Sequence, residues 1–515
     1  MSNVRKTALI ITALTLGSKF LGFMREIALA YFYGTSYVID AYVMAVAIPG
    51  IVFGWIASLA VSYTPIYMDA KVKLGANKSI RFTDNMISIG ITISIFCVLI
   101  GVIFSSKLVS IIAPGFEGDV YELTDRFVKI YLFSIVINVF AQVLVSFLNC
   151  NSKFILSSIS VFVVNGIQIV FIFISSRIGK DALIYGAVLS NIAQLIFLYV
   201  FSGRNGYRLR YEFKVTPEIK QAFIMLIPIF LSSMVSQLNG FVNKVFASGL
   251  IEGSVSALNY SMSVKTFIQS VFSVAITTMI YPMLSQSIAE NDINAVKKMV
   301  SNAVNIIIIL FIPITVGVVL LSEPAIFLVY ERGMFSSEST AMTSIALQMY
   351  SLSLVAVCLI DVLTKMFYAM KDAKTILYLN TFTVAICIAS SIILVKPMMH
   401  AGLALAGSLA EIITLPLFFF FLKRRIGNLG MKNSFNILVK SCICSAIMGI
   451  TVCFVYNYSY YALSTDKLYI LLSILISVAA GTLTYFVLMN LMKVKEMDFF
   501  TYIIKDIFRK AFGKI

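Results

Sequence analysis

Apolar residues run through this chain in long uninterrupted blocks, and short polar segments separate one block from the next. A helix needs about 20 such residues to cross the roughly 30 Å hydrocarbon layer of a bilayer. The pattern therefore predicts about fourteen spanning helices. They fall at 9–32, 41–63, 86–112, 127–148, 154–178, 182–201, 222–246, 254–281, 303–321, 341–370, 376–395, 402–422, 435–456 and 468–491. The fold class is an all-α polytopic membrane protein. Composition adds weight but no new direction: 60% of the residues are hydrophobic, 12% are charged and the mean hydropathy is +0.95, values outside the soluble range.

Charge sets the orientation. Lys and Arg gather on alternate loops, among them Lys71, Lys73, Lys78 and Arg81, then Arg204, Arg208, Arg210, Lys214 and Lys220. Lys423, Arg424, Arg425 and Lys432 follow, and a basic run from Lys493 to Lys514 comes last. With Arg5 and Lys6 on the cytoplasmic side, the inner segments hold about 26 of the 40 basic residues, the outer segments about 8 and the helices about 6. The positive-inside rule then places both termini in the cytoplasm, which requires an even number of spans. The net charge of +16 reads as topology and contact with anionic membrane lipids, and not as nucleic-acid binding.

Other composition signals exclude whole classes. No small-residue cleavage site follows the first block, so it reads as a span and not as a cleaved leader. The longest polar loop, 204–220, is too short for a soluble domain. Seven cysteines (Cys97, Cys150, Cys358, Cys387, Cys442, Cys444, Cys453) lie in or beside apolar blocks and read as small buried hydrophobes, not disulfides. Cys442 and Cys444 diverge on a helix, and His400 stands in a short outer loop with no partner ligand, so no metal site is expected.

The two halves are weakly self-similar at an offset of about 217–220 residues. Tyr63-Thr64-Pro65 parallels Ile280-Tyr281-Pro282, and Ala113-Pro114-Gly115-Phe116 parallels Arg332-Gly333-Met334-Phe335. The turn from Phe147 to Lys153 parallels that from Phe367 to Lys374. This predicts two pseudo-symmetric six-helix bundles plus two C-terminal helices, divided as 1–202, 203–430 (opened by a basic cytoplasmic linker), 431–492 and a basic tail, 493–515. Parallel repeats of this kind carry substrate near mid-membrane and work by rocking. Similar turns also recur in any helix hairpin, because Gly, Pro, Asn and Lys suit them.

Ionisable groups at membrane depth cost several kcal/mol unless they pair or line a wet cavity. The candidates are Lys19, Arg25 and Glu26 in the first span, Asp40 at the start of the second, and Lys244 and Lys265 in the seventh and eighth. Further cavity or coupling candidates are Asp361 and Lys365 in the tenth span, Glu411 in the twelfth, and Asn243 beside Lys244. Lys19, Arg25, Lys244 and Lys265 place cations on the first helices of both bundles, which suits an anionic substrate such as a phosphate or pyrophosphate. Blander roles exist. Arg25 and Glu26 are adjacent, diverge on a helix and would each seek a structural partner elsewhere. Asp361 and Lys365, four apart, would neutralise each other; Asp40 would sit at the outer interface, and Lys265 would snorkel.

Pro228, Pro313 and Pro416 fall inside spans and would kink them. Phe500, Ile503, Ile504, Ile507 and Phe508 form an apolar stripe beside Lys505, Arg509 and Lys510, the pattern of a helix lying on the cytoplasmic leaflet. No Walker loop is present, so no cofactor is expected and energy would come from a sodium or proton gradient or the membrane potential.

Specific residues also carry a family likeness. The run from Ser18 to Glu26, Ser-Lys-Phe-Leu-Gly-Phe-Met-Arg-Glu, followed by Tyr33-Gly34 and Asp40-Ala41-Tyr42, resembles the opening signature of the MurJ/MviN family. The likeness continues through Ile48-Pro49, Ala113-Pro114-Gly115-Phe116, Ser256-Ala257-Leu258-Asn259-Tyr260 and Pro282-Met283-Leu284-Ser285. It reaches Arg332-Gly333-Met334-Phe335, the turn from Phe367 to Asp372, and the run from Ala401 to Ala406. The resemblance implies a fourteen-helix, two-lobed flippase of the multidrug/oligosaccharidyl-lipid/polysaccharide exporter superfamily. It implies lipid II, the undecaprenyl-pyrophosphate-linked peptidoglycan precursor, as cargo. It places the cavity cations on Lys19 and Arg25, the acidic positions on Glu26 and Asp40, and a groove for the lipid tail on the last two spans.

The departures touch the same cavity. Gly50-Ile51-Val52-Phe53-Gly54 lacks the family's basic residues, Ser58 replaces an acidic one, and Tyr260-Ser261-Met262-Ser263 replaces a stretch ending Ala-Asp-Arg. A lipid II flippase working by alternating access, in a bacterial inner membrane beside cell-wall synthesis proteins, is the first reading. Flippases for another polyprenyl-linked surface polysaccharide (capsule, teichoic-type or exopolysaccharide) come next. A drug or cation antiporter would want an acidic cavity, a membrane-embedded glycan polymerase or ligase would want a larger outer loop, and a scaffold without transport would follow if the lost cations abolish flipping.

Overall fold

The computed structural model describes residues 2–52, 55–214, 216–290, 292–370, 372–462, 467–494 and 496–497, and among them there are helices and no strands. In chain order the helices are α1 (Ser2–Tyr33), α2 (Tyr37–Val52), α3 (Trp55–Leu74), α4 (Ala76–Ile103), α5 (Ser105–Ile112) and α6 (Gly118–Leu132). Next come α7 (Ser134–Cys150), α8 (Phe154–Ile178), α9 (Asp181–Arg204), α10 (Pro217–Ser248), α11 (Ser254–Ala289) and α12 (Ile293–Tyr330). The last are α13 (Ser337–Ser351), α14 (Leu354–Ala369), α15 (Ala373–Ile426), α16 (Lys432–Ala462) and α17 (Lys467–Leu491). Among the described residues the apolar blocks fall on helices: the block at 86–112 is divided at Phe104 between α4 and α5, and the block at 154–178 coincides with α8 residue for residue.

Among the described residues, seven helices are alone long and apolar enough to cross a membrane. Two bent pairs, α6 with α7 (40°) and α13 with α14 (50°), raise that number to nine. The chain is therefore a multi-pass membrane protein. The spans predicted at 127–148 and 341–370 are each such a pair, so a block that looked like one rod is two shorter helices. A straight helix as long as α15, 54 residues, would run about 80 Å, more than twice the hydrocarbon thickness. It breaks at Met399 (φ 50°, ψ −130°). The short outer loop expected around His400 is thus a single non-helical residue. His400 itself is buried against the Met342 carbonyl, with Nε2 3.1 Å from that oxygen.

Two compact units form. The first comprises the described residues of Met1–Val271, Tyr330–Met342 and Asn380–Gly407; the second those of Phe272–Val329, Thr343–Leu379 and Ser408–Ile515. In the first, Tyr63 stacks on Tyr67 and Phe82 at 5.3 and 5.4 Å, and Phe147 meets Tyr67 edge-on. In the second, Phe367 meets Phe418 edge-on, and Tyr485 donates from its hydroxyl to the Ile309 carbonyl at 2.9 Å. Satisfying a buried hydroxyl in this way removes a cost of about 1–3 kcal/mol.

One junction in the first unit is built from backbone alone. Gly34 and Gly333 both adopt positive φ (56° and 61°), and the Met334 amide donates to the Tyr31 carbonyl at 2.9 Å. A Cβ at Gly34 would sit 2.4 Å from the Met334 oxygen, and one at Gly333 would sit 2.2 Å from the Tyr31 oxygen. Only glycine fits at either position. Two stretches singled out in the sequence, Tyr33-Gly34 and Arg332-Gly333-Met334-Phe335, are the two sides of this contact.

The cysteines carry no disulfide; all seven are free. Burial corrects part of the expectation, since Cys442 and Cys453 are exposed on α16. On a spanning helix the outward face meets lipid, where a thiol behaves as one more small apolar group. The basic amphipathic stretch from Phe500 to Lys510 lies outside the described residues, as does the side-chain setting of Gly54 and Ser58.

Candidate functional site

The first span places its charges on a wet wall. Within the first unit, α1, α8 and α11 enclose a cavity of about 320 Å³, and Lys19, Arg25 and Glu26 all line it. Adjacent residues on a helix point apart, yet Arg25 curls its long side chain back and pairs with its neighbour. Its Nη2 donates to Glu26 Oε1 at 2.6 Å, a pairing that adds to the partners each finds on another helix. Nη1 donates to Gln168 Oε1 on α8 at 2.8 Å. Gln168 is held in turn, its Nε2 donating to Ser190 Oγ on α9 at 3.1 Å.

Glu26 is buried and carries two partners. While Oε1 takes Arg25, Oε2 accepts from Asn259 Nδ2 on α11 at 3.0 Å. The carboxylate thus bridges α1 to α11 as the guanidinium bridges α1 to α8. The buried Nε of Arg25 has no hydrogen-bond partner among the described residues. Lys19 is exposed on the same helix, six residues earlier, and lines the same cavity. Phe23 of α1 and Phe267 of α11 stack at 4.8 Å and supply an apolar part of the lining. A cavity lined by two cations and one carboxylate already engaged is chemically suited to an anion with several acceptor oxygens.

The other candidates disperse. Lys244, half-buried on α10, lies within electrostatic reach of Glu26. Lys265 is buried on α11 outside the cavity lining. Asn243 is buried where it accepts from the Cys387 thiol at 3.7 Å. Asp40 is buried away from the cavity and caps α11: its Oδ2 accepts from Gly253 N at 2.8 Å and its Oδ1 from Ser256 N at 2.7 Å. A carboxylate there satisfies helix-end N–H groups and meets the positive end of the helix dipole. Asp361, Lys365 and Glu411 are half-buried in the second unit. Asn165, Gln168 and Asn259 joined the site unannounced. The available signal was a pair of amides three residues apart, Asn165 and Gln168, on one face of an otherwise apolar helix.

Comparison with known proteins agrees with this architecture. The family model described as lipid II flippase MurJ matches residues 29–493. A probable lipid II flippase MurJ of Rickettsia prowazekii is 26% identical over 502 residues, covering 96% of this chain and 98% of that protein. A second, from Thermotoga maritima, is 27% identical over 502 residues, covering 97% and 98%. Among solved structures, a lipid II flippase MurJ in an inward closed conformation superposes with a TM-score of 0.80 at 21% identity, covering 94% of this chain and all of that one. An inward-facing multidrug MATE transporter of the MOP superfamily superposes at 0.67 with 16% identity, over 82% of this chain; at these identities the likeness is one of fold. With the family model matching most of its length, the chain belongs to the lipid II flippase MurJ family, a family of transporters and not of enzymes.

Proposed function

We propose that this chain moves lipid II, an undecaprenyl-pyrophosphate-linked glycan, from the inner to the outer leaflet of a bacterial plasma membrane by alternating access. The observation that carries the reading is the Arg25 cluster. A guanidinium held by Glu26 and Gln168 and lining the cavity, with Lys19 on the same wall, offers charge-assisted donors to a pyrophosphate that has shed its water. In the proposed cycle the polar head group meets Lys19 and Arg25 while the cavity opens inward, and the prenyl tail stays in lipid along the last two spans. The chain then opens outward, and a sodium or proton gradient or the membrane potential resets it. Asp361, Lys365 and Glu411 are the proposed coupling charges and Asn243 a proposed cavity amide, with Lys244 and Lys265 as secondary cations. Both termini lie in the cytoplasm, inner basic loops meet anionic lipids, and the protein works beside cell-wall synthesis proteins.

One observation favours a second cargo of the same class. Met262 and Ser263 line the cavity where the family resemblance calls for an acidic and a basic residue. A polyprenyl-linked surface polysaccharide would suit a wall with those charges removed. Depleting the protein and identifying the lipid-linked intermediate stranded on the cytoplasmic face decides between them. Accumulated lipid II, cleared by the intact chain but not by Arg25→Ala, is the expected result. Normal lipid II turnover with another polyprenyl glycan stranded would move the assignment to that glycan.

A further inference from the structure

The segment joining α9 to α10 alternates without a fault: Arg208, Leu209, Arg210, Tyr211, Glu212, Phe213, Lys214. It is bound along α4 within the first unit. The amides of Arg210, Glu212 and Lys214 donate to Asp84 Oδ1 (3.2 Å), Ser88 Oγ (3.3 Å) and Asn85 Oδ1 (3.0 Å). Amides of every second residue turning to one partner is the geometry of an extended chain, whose side chains alternate between two faces. Tyr207, fully buried, fixes the near end by donating from its hydroxyl to Asp84 Oδ1 at 2.9 Å.

This binding leaves an apolar row uncovered. Leu209, Tyr211 and Phe213 are 36%, 75% and 53% exposed, an arrangement that water alone would not favour. The row also sits at a defined depth. The Tyr211 hydroxyl lies 3.5 Å from that of Thr92, and Thr92 is eight residues beyond Asp84 on α4, about 12 Å along the axis. The apolar block of that helix begins at residue 86, so Tyr211 reaches past the start of the hydrocarbon-matching stretch. The Tyr211 backbone lies between the amides held by Asp84 and Ser88 while its ring reaches inward to Thr92, so the side chain crosses the boundary at which membrane proteins place tyrosine.

We propose that residues 207–214 form an interfacial anchor: Leu209, Tyr211 and Phe213 enter the cytoplasmic leaflet while Arg208 and Arg210 bind the phosphates of anionic phospholipids. Charge complementarity selects that occupant. Lys214 and Glu212 pair with each other at 3.4 Å, which leaves the segment with the net positive charge of the two arginines. The bonds to Asp84, Asn85 and Ser88 hold the segment in place before lipid arrives, so little ordering remains to be done on binding. The proposal rests on the inward orientation of this loop given under Proposed function, and makes no use of the cargo.

The test uses the full chain in vesicles. Trp55 is the chain's one tryptophan, so Trp55→Phe combined with Tyr211→Trp gives a single reporter; Phe213→Trp gives a second on the same row. Vesicles carry phosphatidylcholine or phosphatidylglycerol brominated near the headgroup, at equal mole fraction. The expected result is a loss of emission at both positions, greater with phosphatidylglycerol, with the difference abolished by Arg208→Gln together with Arg210→Gln. Emission untouched by either lipid would put the segment in water and overturn the anchor. Equal quenching by both lipids would overturn the anionic specificity. No transport step enters the readout, so a chain that flips no lipid II can pass and an active flippase can fail.

Discussion

At the residue scale, Arg25 shows how a membrane-embedded cation is made tolerable without being used up. Its ion pair with Glu26 offsets much of the cost of burial and the bond to Gln168 fixes the plane of the guanidinium, while the residue still lines the cavity. Gln168 is then a positioning residue, and its removal has a definite expected outcome. Hydrogen bonds to charged groups contribute about 1.5–3 kcal/mol, so Gln168→Leu should lower the melting temperature of the purified chain and slow lipid II flipping in proteoliposomes, whereas Gln168→Glu, which still accepts from Arg25, should keep flipping closer to the parent rate. An unaltered rate would remove Gln168 from the site. The charges here were legible in the sequence because Lys19, Arg25 and Glu26 interrupt an apolar block, and such interruptions are expensive. The amides were not. Asn259 and Gln168 cost far less to bury, and what makes them matter is an approach of α1 to α8 and α11 that no local pattern encodes. Asp40 shows the opposite case: a charge as conspicuous as Arg25 in the sequence, whose carboxylate is spent on backbone amides instead of on the cavity.

At the scale of elements, that capping contact predicts where α11 takes its start. Gly253 and Ser256 give their amides to Asp40 from a different part of the chain, so the second span caps the eighth. Asp40→Ala should destabilise the chain by about 1–2 kcal/mol, seen as a lower melting temperature in detergent, and Asp40→Asn should recover most of the loss because an amide oxygen still accepts. Equal melting of all three forms would leave the cap without energetic weight. Helix positions were legible from hydropathy, since each apolar block became helix. Bends were not. The breaks near Phe133 and Leu352 fall inside continuous apolar runs, where composition is uniform and only packing against neighbours tells one helix from two.

At the scale of the whole molecule, fold and family stand together: an all-helical chain, two compact units, and a superposition over 94% of its length on a MurJ structure. Sidedness is the large-scale property that charge predicts most directly. In a background with all seven cysteines replaced, Glu117→Cys should react with a membrane-impermeant maleimide in intact cells, while Asn428→Cys should react only after permeabilisation. Both positions are exposed, so the reverse pattern would invert the topology. The first unit gathers Tyr330–Met342 and Asn380–Gly407 to the N-terminal half, and such long-range assembly depends on contacts like that of Gly34 with Gly333, which a search for repeats does not see.

The break at Met399 has a consequence for the choice of residue beside it. Gly402 lies so close to the Leu394 carbonyl that a Cβ would stand 2.2 Å from it, and helix continues on both sides of the single break. No slack chain separates the two halves of α15. The two halves are therefore hinged at one residue, with glycine the only residue small enough beside the Leu394 carbonyl, so a side chain added at residue 402 should force the halves apart and be read as a lower melting temperature of Gly402→Val.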